Sequence, residues 1–283
     1  MDFVKPMLLE TKSDGKPSDD DRYINELKLD GFRLIACFDK IKKFYTRNGQ
    51  EVSNIFPELQ EISLKNKTIL DGEIIVTNEE GKPDFEELMR SFHSRKKEKI
   101  KVQYVVFDVL MVDGNPTYNQ TLLERKRMLD HLIPVNTSTM AKIDYLPGNG
   151  EALFQVVKNK DLEGIVQKEK FSKYSPGKRS SNWLKVIHYQ ETIVMIIGYR
   201  KKELSWLVTY QDGTPAGLMD AGVPNKAKMI FYQLTQSMKK VEDKNTVYIE
   251  QEVACVVKYR TKTSKGHLRH PIFKNFVEIS LHF

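Results

Sequence analysis

The sequence predicts an α+β protein with two domains, residues 1–188 and 189–283. Its 283 residues, 40% of them hydrophobic, are enough to build two separate cores. Strand and helix patterns are mixed in the first part, whereas the last part has short strands around one helix. The charge divides at the same place: residues 1–188 contain 31 Lys and Arg against 29 Asp and Glu, and residues 189–283 contain 14 against 9.

The first domain is predicted to contain an antiparallel sheet flanked by helices. Residues 24–47 have a hairpin signal with a turn near Asp39, and Asp84 is a suitable N-cap for the helix that follows it. β-branched apolar runs indicate the other strands, and helical periodicity indicates two further helices. The strands are predicted over 24–47, 69–77, 102–112, 162–168 and 183–187, and the helices over 85–94, 121–133 and 150–159.

The second domain begins near residues 188–190 and is predicted to be mainly β. One amphipathic helix, over 225–241, separates an early group of strands from a late one. Strands, one helix and strands again in so short a segment indicate a five-stranded barrel of the OB type. The strands are predicted over 192–199, 205–211, 217–223, 247–259 and close to the C-terminus.

Composition excludes several classes of protein. No stretch approaches the roughly 20 apolar residues of a membrane helix, and the acidic start of the chain does not resemble a signal peptide. Cys37 and Cys255 both lie in apolar runs, which indicates buried reduced thiols rather than a disulfide or a metal site. We therefore expect a soluble cytoplasmic protein.

The octet Glu-Leu-Lys-Leu-Asp-Gly-Phe-Arg at residues 26–33 contains the first candidate for chemistry. On one strand, Glu26, Lys28 and Asp30 would project from the same face. A lysine becomes a nucleophile when burial or neighbouring cations lower its pKa. The plainer interpretation is an amphipathic strand with three solvated charges.

Five more motifs follow this octet in order, and together the six resemble the signature motifs of the covalent nucleotidyltransferases. This superfamily contains the ATP-dependent DNA ligases, the RNA ligases and the mRNA capping enzymes. One match of the form K-x-D-G would be weak support, whereas six ordered matches are strong. The further motifs are YTRNG at 45–49, LDGEI at 70–74, YVVFD at 104–108, LEGIVQK at 162–168 and SNWLKV at 181–186.

The resemblance implies a nucleotide site in the first domain. Lys28 would be the nucleophile, Glu26 would lie at the adenine edge, and Phe107 would stack on the ring. Alone, Phe107 in an apolar strand is more typical of a core residue. The residues implied to take part in catalysis are Lys28, Asp30, Lys168 and Lys185, and those implied to bind ATP are Glu26, Leu27, Lys28, Arg33, Glu73, Phe107, Lys168, Lys185 and Arg269.

Within that site, Arg33 and Glu73 would fix the ribose, and Lys168 and Lys185 would face the triphosphate. Lysines on strands are more usually solvated, and only their places in the motifs favour this role. Glu163, together with Glu73, is the candidate ligand for Mg²⁺, for which we expect Mn²⁺ to substitute. One departure from many relatives is Ile187, which stands where they have a second lysine.

Nucleic acid is the expected macromolecular partner. Arg47 and Arg179 are implied contacts of a nick phosphate. The excess charge of the second domain favours phosphate contact over a merely solvated surface, with an aromatic residue among the basic ones. The resemblance also implies that Arg269, in an R-x-P-x-F-K segment, contacts the leaving pyrophosphate. The basic residues predicted to contact DNA in the second domain are Lys258, Arg260, Lys262 and Lys265.

Within the superfamily, the chain is most similar to the short ATP-dependent DNA ligases of bacteria and bacteriophages and to the ligase module of bacterial end-joining enzymes. The implied function is sealing of 3′-hydroxyl and 5′-phosphate nicks in duplex DNA, and we expect a monomer without a protein partner. An RNA ligase or a capping guanylyltransferase is the alternative within enzymes. Outside enzymes, the alternative is an OB-type protein that binds single strands by stacking.

Overall fold

A computed structural model describes residues 3–64, 67–93, 100–203, 205–220, 222–238 and 240–277. The chain forms two compact units, Met1–His188 and Tyr189–Phe283. The fold is a mixed one of antiparallel sheets and helices, as the sequence predicts. None of the helices in the described ranges is long and apolar enough to cross a membrane.

The first unit is built from two sheets. One has five strands in the order β1-β11-β10-β2-β9, and the other has six, β4-β3-β5-β6-β7 with β8 beside β6. Neighbouring strands are antiparallel except for β1 with β11 and β6 with β8. The strands are β1 (Leu8–Thr11), β2 (Tyr23–Lys28), β3 (Phe32–Phe38), β4 (Lys43–Thr46), β5 (Thr68–Val76), β6 (Val102–Val112), β7 (Asn115–Pro116), β8 (Met140–Lys142), β9 (Tyr145–Pro147), β10 (Gly164–Glu169) and β11 (Arg179–Ile187).

Three α-helices and one 3₁₀ helix complete this unit. Asp84 accepts a hydrogen bond from the Glu87 amide at 2.9 Å, as expected of the N-cap, whereas Ser94, the predicted last residue of that helix, lies outside the described residues. Thr121 and Glu124 form a capping box at the start of the second helix. The helices are α1 (Phe85–His93), α2 (Leu122–Leu132) and α3 (Gly150–Asn159), with the 3₁₀ helix at Pro57–Glu61.

The two sheets share a buried core that fixes the site between them. Ile24 of β2 and Trp183 of β11 pack with residues of the other sheet such as Ile35 and Leu110. The outer face of the six-stranded sheet packs against α1, α2 and the 3₁₀ helix, and α3 covers Ile165 and Val186 on the five-stranded sheet. α1, α3 and the 3₁₀ helix therefore stabilise the outer faces, whereas α2 also contributes Leu122 to the core between the sheets.

One sequence expectation is wrong at residues 26–30. Glu26 and Lys28 lie on β2, but this strand ends at Lys28, and Asp30 belongs to the turn that leads into β3 of the other sheet. Gly31 allows the crossing because a β-carbon there would lie 2.3 Å from the Ile74 carbonyl oxygen. Asp30 therefore does not share a strand face with Lys28.

The second unit has a six-stranded sheet in the order β14-β13-β12-β16-β15, with β17 beside β16. Its helix ends at Thr235 rather than continuing to residue 241, and residues predicted as its last turn form a short strand instead. The sheet consequently has one strand more than the five predicted. The elements are β12 (Gln190–Arg200), β13 (Trp206–Thr209), β14 (Pro215–Met219), α4 (Asn225–Thr235), β15 (Lys240–Glu242), β16 (Thr246–Tyr259) and β17 (Ile272–Phe276).

Candidate active site

The candidate site is one face of the five-stranded sheet, where β10 lies between β2 and β11. Residues directly opposite one another on paired strands point to the same face. The register therefore places three rows of side chains on this face. From one end to the other, these rows are Lys28, Gly164 and Ile187; then Glu26, Val166 and Lys185; then Ile24, Lys168 and Trp183.

Lys28 lies at one end of this face in an ion pair. Its Nζ is 2.9 Å from Glu163 Oε1, and both side chains are largely buried. The other carboxylate oxygen, Glu163 Oε2, is buried and has no hydrogen-bond partner among the described residues. A buried carboxylate oxygen of this kind is a suitable ligand for a divalent cation.

Lys185 lies in the next row and is surrounded by other cations. Burial lowers its pKa first, and the nearby charge of Lys28 lowers it further, with smaller contributions from Arg179 and Arg47. Glu163 acts in the opposite direction. The structure therefore brings the predicted phosphate-binding residues Lys185, Arg47 and Arg179 close to Lys28. Arg47 and Arg179 are exposed, as contact with a macromolecule requires.

Lys168 lies at the other end of the face, away from the position expected for it. Its Nζ is 2.7 Å from Glu26 Oε2, 4.5 Å from the centre of the Phe107 ring and 3.9 Å from that of Trp183. Burial lowers the pKa of Lys168 to about 8, although Glu26 raises it. Lys168 therefore lies beside Glu26 and Phe107, the two residues implied to hold the base, and its contact with the triphosphate stays a prediction.

Arg33 and Glu73 lie on paired strands of the other sheet, directly opposite each other. Arg33 donates two hydrogen bonds to buried Asp71, at 2.9 and 2.6 Å, and its guanidinium lies over the Phe107 ring. Tyr174 donates to the same Asp71 carboxylate at 2.7 Å. Arg33 is thus held in one orientation over the face of the Phe107 ring.

The pKa of Glu73 is raised to about 8, because burial and the nearby Glu163 carboxylate outweigh the charges of Lys28 and Arg33. The main cause is burial. Two carboxylates that lie close to each other can share a cation. In the described residues, no cluster of three or more His, Cys, Asp or Glu side chains forms a metal site by itself. This arrangement fits Mg²⁺, which typically takes one or two carboxylates and completes its shell with phosphate oxygens and water.

These residues line a small cavity of about 50 Å³. The cavity is lined by Leu9, Glu26, Leu27, Lys28, Leu29, Arg33, Glu73, Phe107, Ile143, Val166, Lys168 and Trp183. Every residue of the first unit that the sequence assigns to the nucleotide is in this lining except Lys185, which is one row from Lys28.

The basic residues of the second unit are placed unequally. Lys262 and Lys265 are exposed, and Lys262 lies 4.5 Å from the centre of the Tyr210 ring. Lys258 is half-buried and lies 3.9 Å from Glu191. Arg260 is only 6% exposed, which does not fit its predicted contact with DNA. Arg269 is half-buried and its amide donates to the Thr261 carbonyl at 2.8 Å.

Two basic residues of the first unit were missed by the sequence analysis. Arg125 and Lys126 are buried on α2, and Lys126 forms an ion pair with Glu26. The signal that identifies them is their spacing. Leu122, Arg125, Lys126 and Leu129 recur at i, i+3, i+4 and i+7, so two basic side chains lie on the apolar face of the helix.

The chain matches known proteins along most of its length. Residues 6–186 match the family model for the ATP dependent DNA ligase domain. The SPbeta prophage-derived DNA ligase-like protein LigB of Bacillus subtilis is 44% identical over 97% of this chain and 99% of its own length. The multifunctional non-homologous end joining protein LigD of Mycolicibacterium smegmatis is 28% identical over 88% of this chain, which spans only 35% of that larger protein.

Solved structures show the same fold. A mycobacterial DNA ligase D, complexed with ATP and MES, aligns with a TM-score of 0.61 at 23% identity, over 97% of this chain and 95% of the other. A Lig E DNA ligase, described as binding DNA with a minimal scaffold, aligns with a TM-score of 0.68 at 18% identity, over 97% of this chain and all of the other. Together with the family model and the LigB likeness, the six motifs lead to one conclusion: the chain belongs to the ATP-dependent DNA ligase family and is an ATP-using enzyme.

Proposed function

We propose that the protein seals nicks between a 3′-hydroxyl and a 5′-phosphate in duplex DNA, through an adenylyl group carried on Lys28. The observation that carries the proposal is the face of the five-stranded sheet. It presents Lys28 beside Glu163, with Lys185 and Glu26 in the next row and Lys168 in the row beyond, where Lys168 lies over the Phe107 ring of the other sheet. A non-catalytic binding module has no need of this set.

In the first step, the neutral amine of Lys28 attacks the α-phosphorus of ATP. The bond from phosphorus to the bridging oxygen of pyrophosphate breaks as the N–P bond forms, and the amine proton leaves with solvent. Lys185 would neutralise charge that builds up on the phosphates, and Arg269 of the second unit would contact the pyrophosphate. Positioning and charge stabilisation supply most of the rate in such displacements.

In the second step, a 5′-phosphate oxygen of the nick attacks the same phosphorus, and the amine of Lys28 leaves. In the third, the 3′-hydroxyl attacks the 5′-phosphate, a phosphodiester bond forms, and AMP is released. We assign contact with the nick phosphate to Arg47 and Arg179, which are exposed and close to Lys185. The basic second unit would hold the duplex through Lys258, Lys262 and Lys265.

Glu163 and Glu73 are the residues that would hold Mg²⁺. The ion would neutralise charge on the triphosphate, and we expect Mn²⁺ to replace it. The buried oxygen of Glu163 and the raised pKa of Glu73 support this assignment. Adduct formation that persists in excess chelator would contradict it.

The remaining parts of the proposal concern the whole protein. We assign the second unit to the OB type, since its strands and single helix occur in the expected order. Relatives named for non-homologous end joining support a role in DNA repair, and replication and recombination offer the same nicks. We propose a monomer that acts in the cytoplasm without a protein partner, and its two buried thiols agree with that compartment.

The test is to follow one radioactive phosphate. The protein is incubated with α-labelled ATP, freed of excess nucleotide and mixed with nicked duplex DNA or with nicked RNA. Label should first be bound covalently to the protein, then to the 5′ end of the DNA, and finally be released as AMP as the nick disappears. Label that transfers only to RNA would overturn the choice of DNA, and GTP as the preferred donor would indicate a capping enzyme.

A further inference from the structure

Lys126 of α2 is a buried cation to which the proposed reaction gives no part. It is 3% exposed, its Nζ donates a hydrogen bond to the Phe107 carbonyl at 2.9 Å, and it forms an ion pair with Glu26 Oε1. A buried ammonium group is costly unless it is paired. Lys126 therefore contacts both the backbone of Phe107, which is assigned to stacking on the base, and the carboxylate of Glu26, which is assigned to the adenine edge.

The position of Lys126 is fixed by its neighbour in the helix. Arg125 is fully buried and forms two hydrogen bonds with Asp108, at 2.7 and 2.9 Å. Asp108 directly follows Phe107 on β6. The ion pair of Arg125 with Asp108 holds α2 against β6, the strand that carries Phe107. Lys126, the next residue of the helix, is thereby directed at Glu26.

Glu26 is consequently held between two ammonium groups. Lys126 pairs with Oε1, and Lys168 pairs with Oε2 at 2.7 Å, while Glu26 itself is 2% exposed. A carboxylate paired with two ammonium groups in this way presents its oxygens as hydrogen-bond acceptors. Its two oxygens have about four lone-pair sites, so two ammonium groups leave acceptor capacity. Within the described residues, Glu26 Oε1 has no hydrogen bond of regular geometry, although it is buried.

We propose that Lys126 is a positioning residue that sets the choice of nucleobase, because its ion pair holds the Glu26 carboxylate at the base pocket. An acceptor-only group pairs with the exocyclic amine of a 6-aminopurine and is left unpaired by a 6-oxopurine. A site built to accept a hydrogen bond rejects ligands that lack the donor. This inference rests on the proposed function and adds a determinant that acts through Glu26 without contact to the reacting atoms.

The experiment compares ATP with inosine triphosphate, which differs in carrying an oxygen where adenine has the amine. Formation of the Lys28 adduct is followed by intact mass over a range of each nucleotide, in the full-length protein and in Lys126→Gln. We expect Lys126→Gln to lower the ATP to ITP ratio of kcat/KM about tenfold or more. The loss should arise from KM for ATP, with the maximal rate within about threefold of the parent. Sealing of a nick that is already 5′-adenylated should not change.

Two further variants make the result specific to charge at this point. Lys126→Arg keeps the cation and should preserve at least part of the ratio, which a purely structural role would not explain. Lys142→Gln removes a half-buried lysine of β8 that pairs at 2.6 Å with Asp130 of α2, and it should leave the use of both nucleotides unaffected. If Lys126→Gln does not fold, Lys126→Met and Lys126→Arg are compared in the same way.

The outcomes separate this inference from the function on which it rests. A ratio within about twofold of the parent in a folded Lys126→Gln or Lys126→Met variant overturns the inference and leaves the ligase proposal standing. A parent protein that forms no adduct with ATP overturns both. The inference is supported if the parent has a large ATP to ITP ratio of kcat/KM, if this ratio decreases in Lys126→Gln, and if Lys126→Arg retains part of it.

Discussion

Lys28 Nζ and Glu163 Oε1 are 2.9 Å apart, so the proposed nucleophile rests in an ion pair. Only the neutral amine has a lone pair with which to attack phosphorus. Glu163 must therefore exchange Lys28 for another partner before the first step. Its other oxygen, Oε2, has no hydrogen-bond partner among the described residues and is the atom that would bind a metal ion. The ion pair with Glu163 is therefore the state of Lys28 before ATP binds.

Lys28→Ala should abolish the covalent label from α-labelled ATP, because no other amine occupies its place in the row with Gly164 and Ile187. The same variant should still seal a nick that is already 5′-adenylated, since the first step is then bypassed. Gel autoradiography of both reactions checks this. A label that survives the substitution would remove the assignment.

Lys168 provides a prediction about stability and pH. Its pKa in the folded protein is about 8, below its usual value of 10.5. Between these two values the unfolded chain binds more protons than the folded one, so this group makes the protein more stable as pH rises from about 8 to 10.5. Below pH 8 that contribution is absent.

Denaturant unfolding of the parent and of Lys168→Met, measured from pH 7 to 10, isolates the effect. We expect the free energy of unfolding of the parent to rise relative to the variant above pH 8. A constant difference between the two proteins across this range would show that Lys168 remains charged.

Among the elements, α2 places two buried basic residues beside the site. Its apolar face carries Arg125 and Lys126 among leucines, and Arg125 also donates to the carbonyls of Gln120 and Ser172. Loss of one partner from a buried ion pair leaves an uncompensated charge. Arg125 is therefore one of the residues that hold α2 against β6.

Arg125→Met should lower the free energy of unfolding by about 3–5 kcal/mol, because Asp108 is left buried and unpaired. Arg127 lies two residues further along α2, on its exposed side. Arg127→Met should change the free energy of unfolding by less than about 0.5 kcal/mol. Chemical denaturation of the two variants makes the comparison. Equal losses would mean that the Asp108 pair is not what holds the helix.

Elements with local signals were predictable from sequence, and those defined by distant partners were not. The capping box of Thr121 and the N-cap Asp84 fix the starts of α2 and α1, so their predicted positions agree with the structure. β1 was missed because its four residues gain strand character only by pairing in parallel with β11. The crossing at Gly31 depends on the backbone of β5, which no local pattern contains.

The same distinction applies to the site. Motif spacing identifies Lys28, Glu163 and Lys185, because each lies in a recognisable run. Only the register of β2, β10 and β11 shows that Lys168 is two rows from Lys28 and beside Glu26. Lys126 lies outside every motif, and its partner is 100 residues earlier in the chain.

At the scale of the whole molecule, the two units carry different parts of the proposed reaction. The first contains the nucleophile and the base pocket, and the second carries 14 Lys and Arg against 9 Asp and Glu. Release of counterions from DNA by such a unit makes binding weaken steeply with salt. The second unit would also supply Arg269 to the leaving pyrophosphate.

Arg269→Ala should slow formation of the Lys28 adduct about tenfold or more and have little effect on sealing of pre-adenylated nicks. Lys226→Ala removes an exposed positive charge from the same unit and is the matched control. Single-turnover assays of the two reactions distinguish the steps. If Arg269→Ala forms the adduct normally but binds nicks poorly, its role is contact with DNA.

Both cysteines are buried thiols, Cys37 at 1% exposure and Cys255 at 0%, and burial raises the pKa of Cys255 to about 12. Maleimide and iodoacetamide reagents attack the exposed thiolate, so the folded protein should be almost inert to them. A single cysteine introduced on the surface of either unit could then be labelled with a fluorophore without first removing the native ones. Fluorescence from such a label during a catalytic cycle would then come almost entirely from the introduced cysteine.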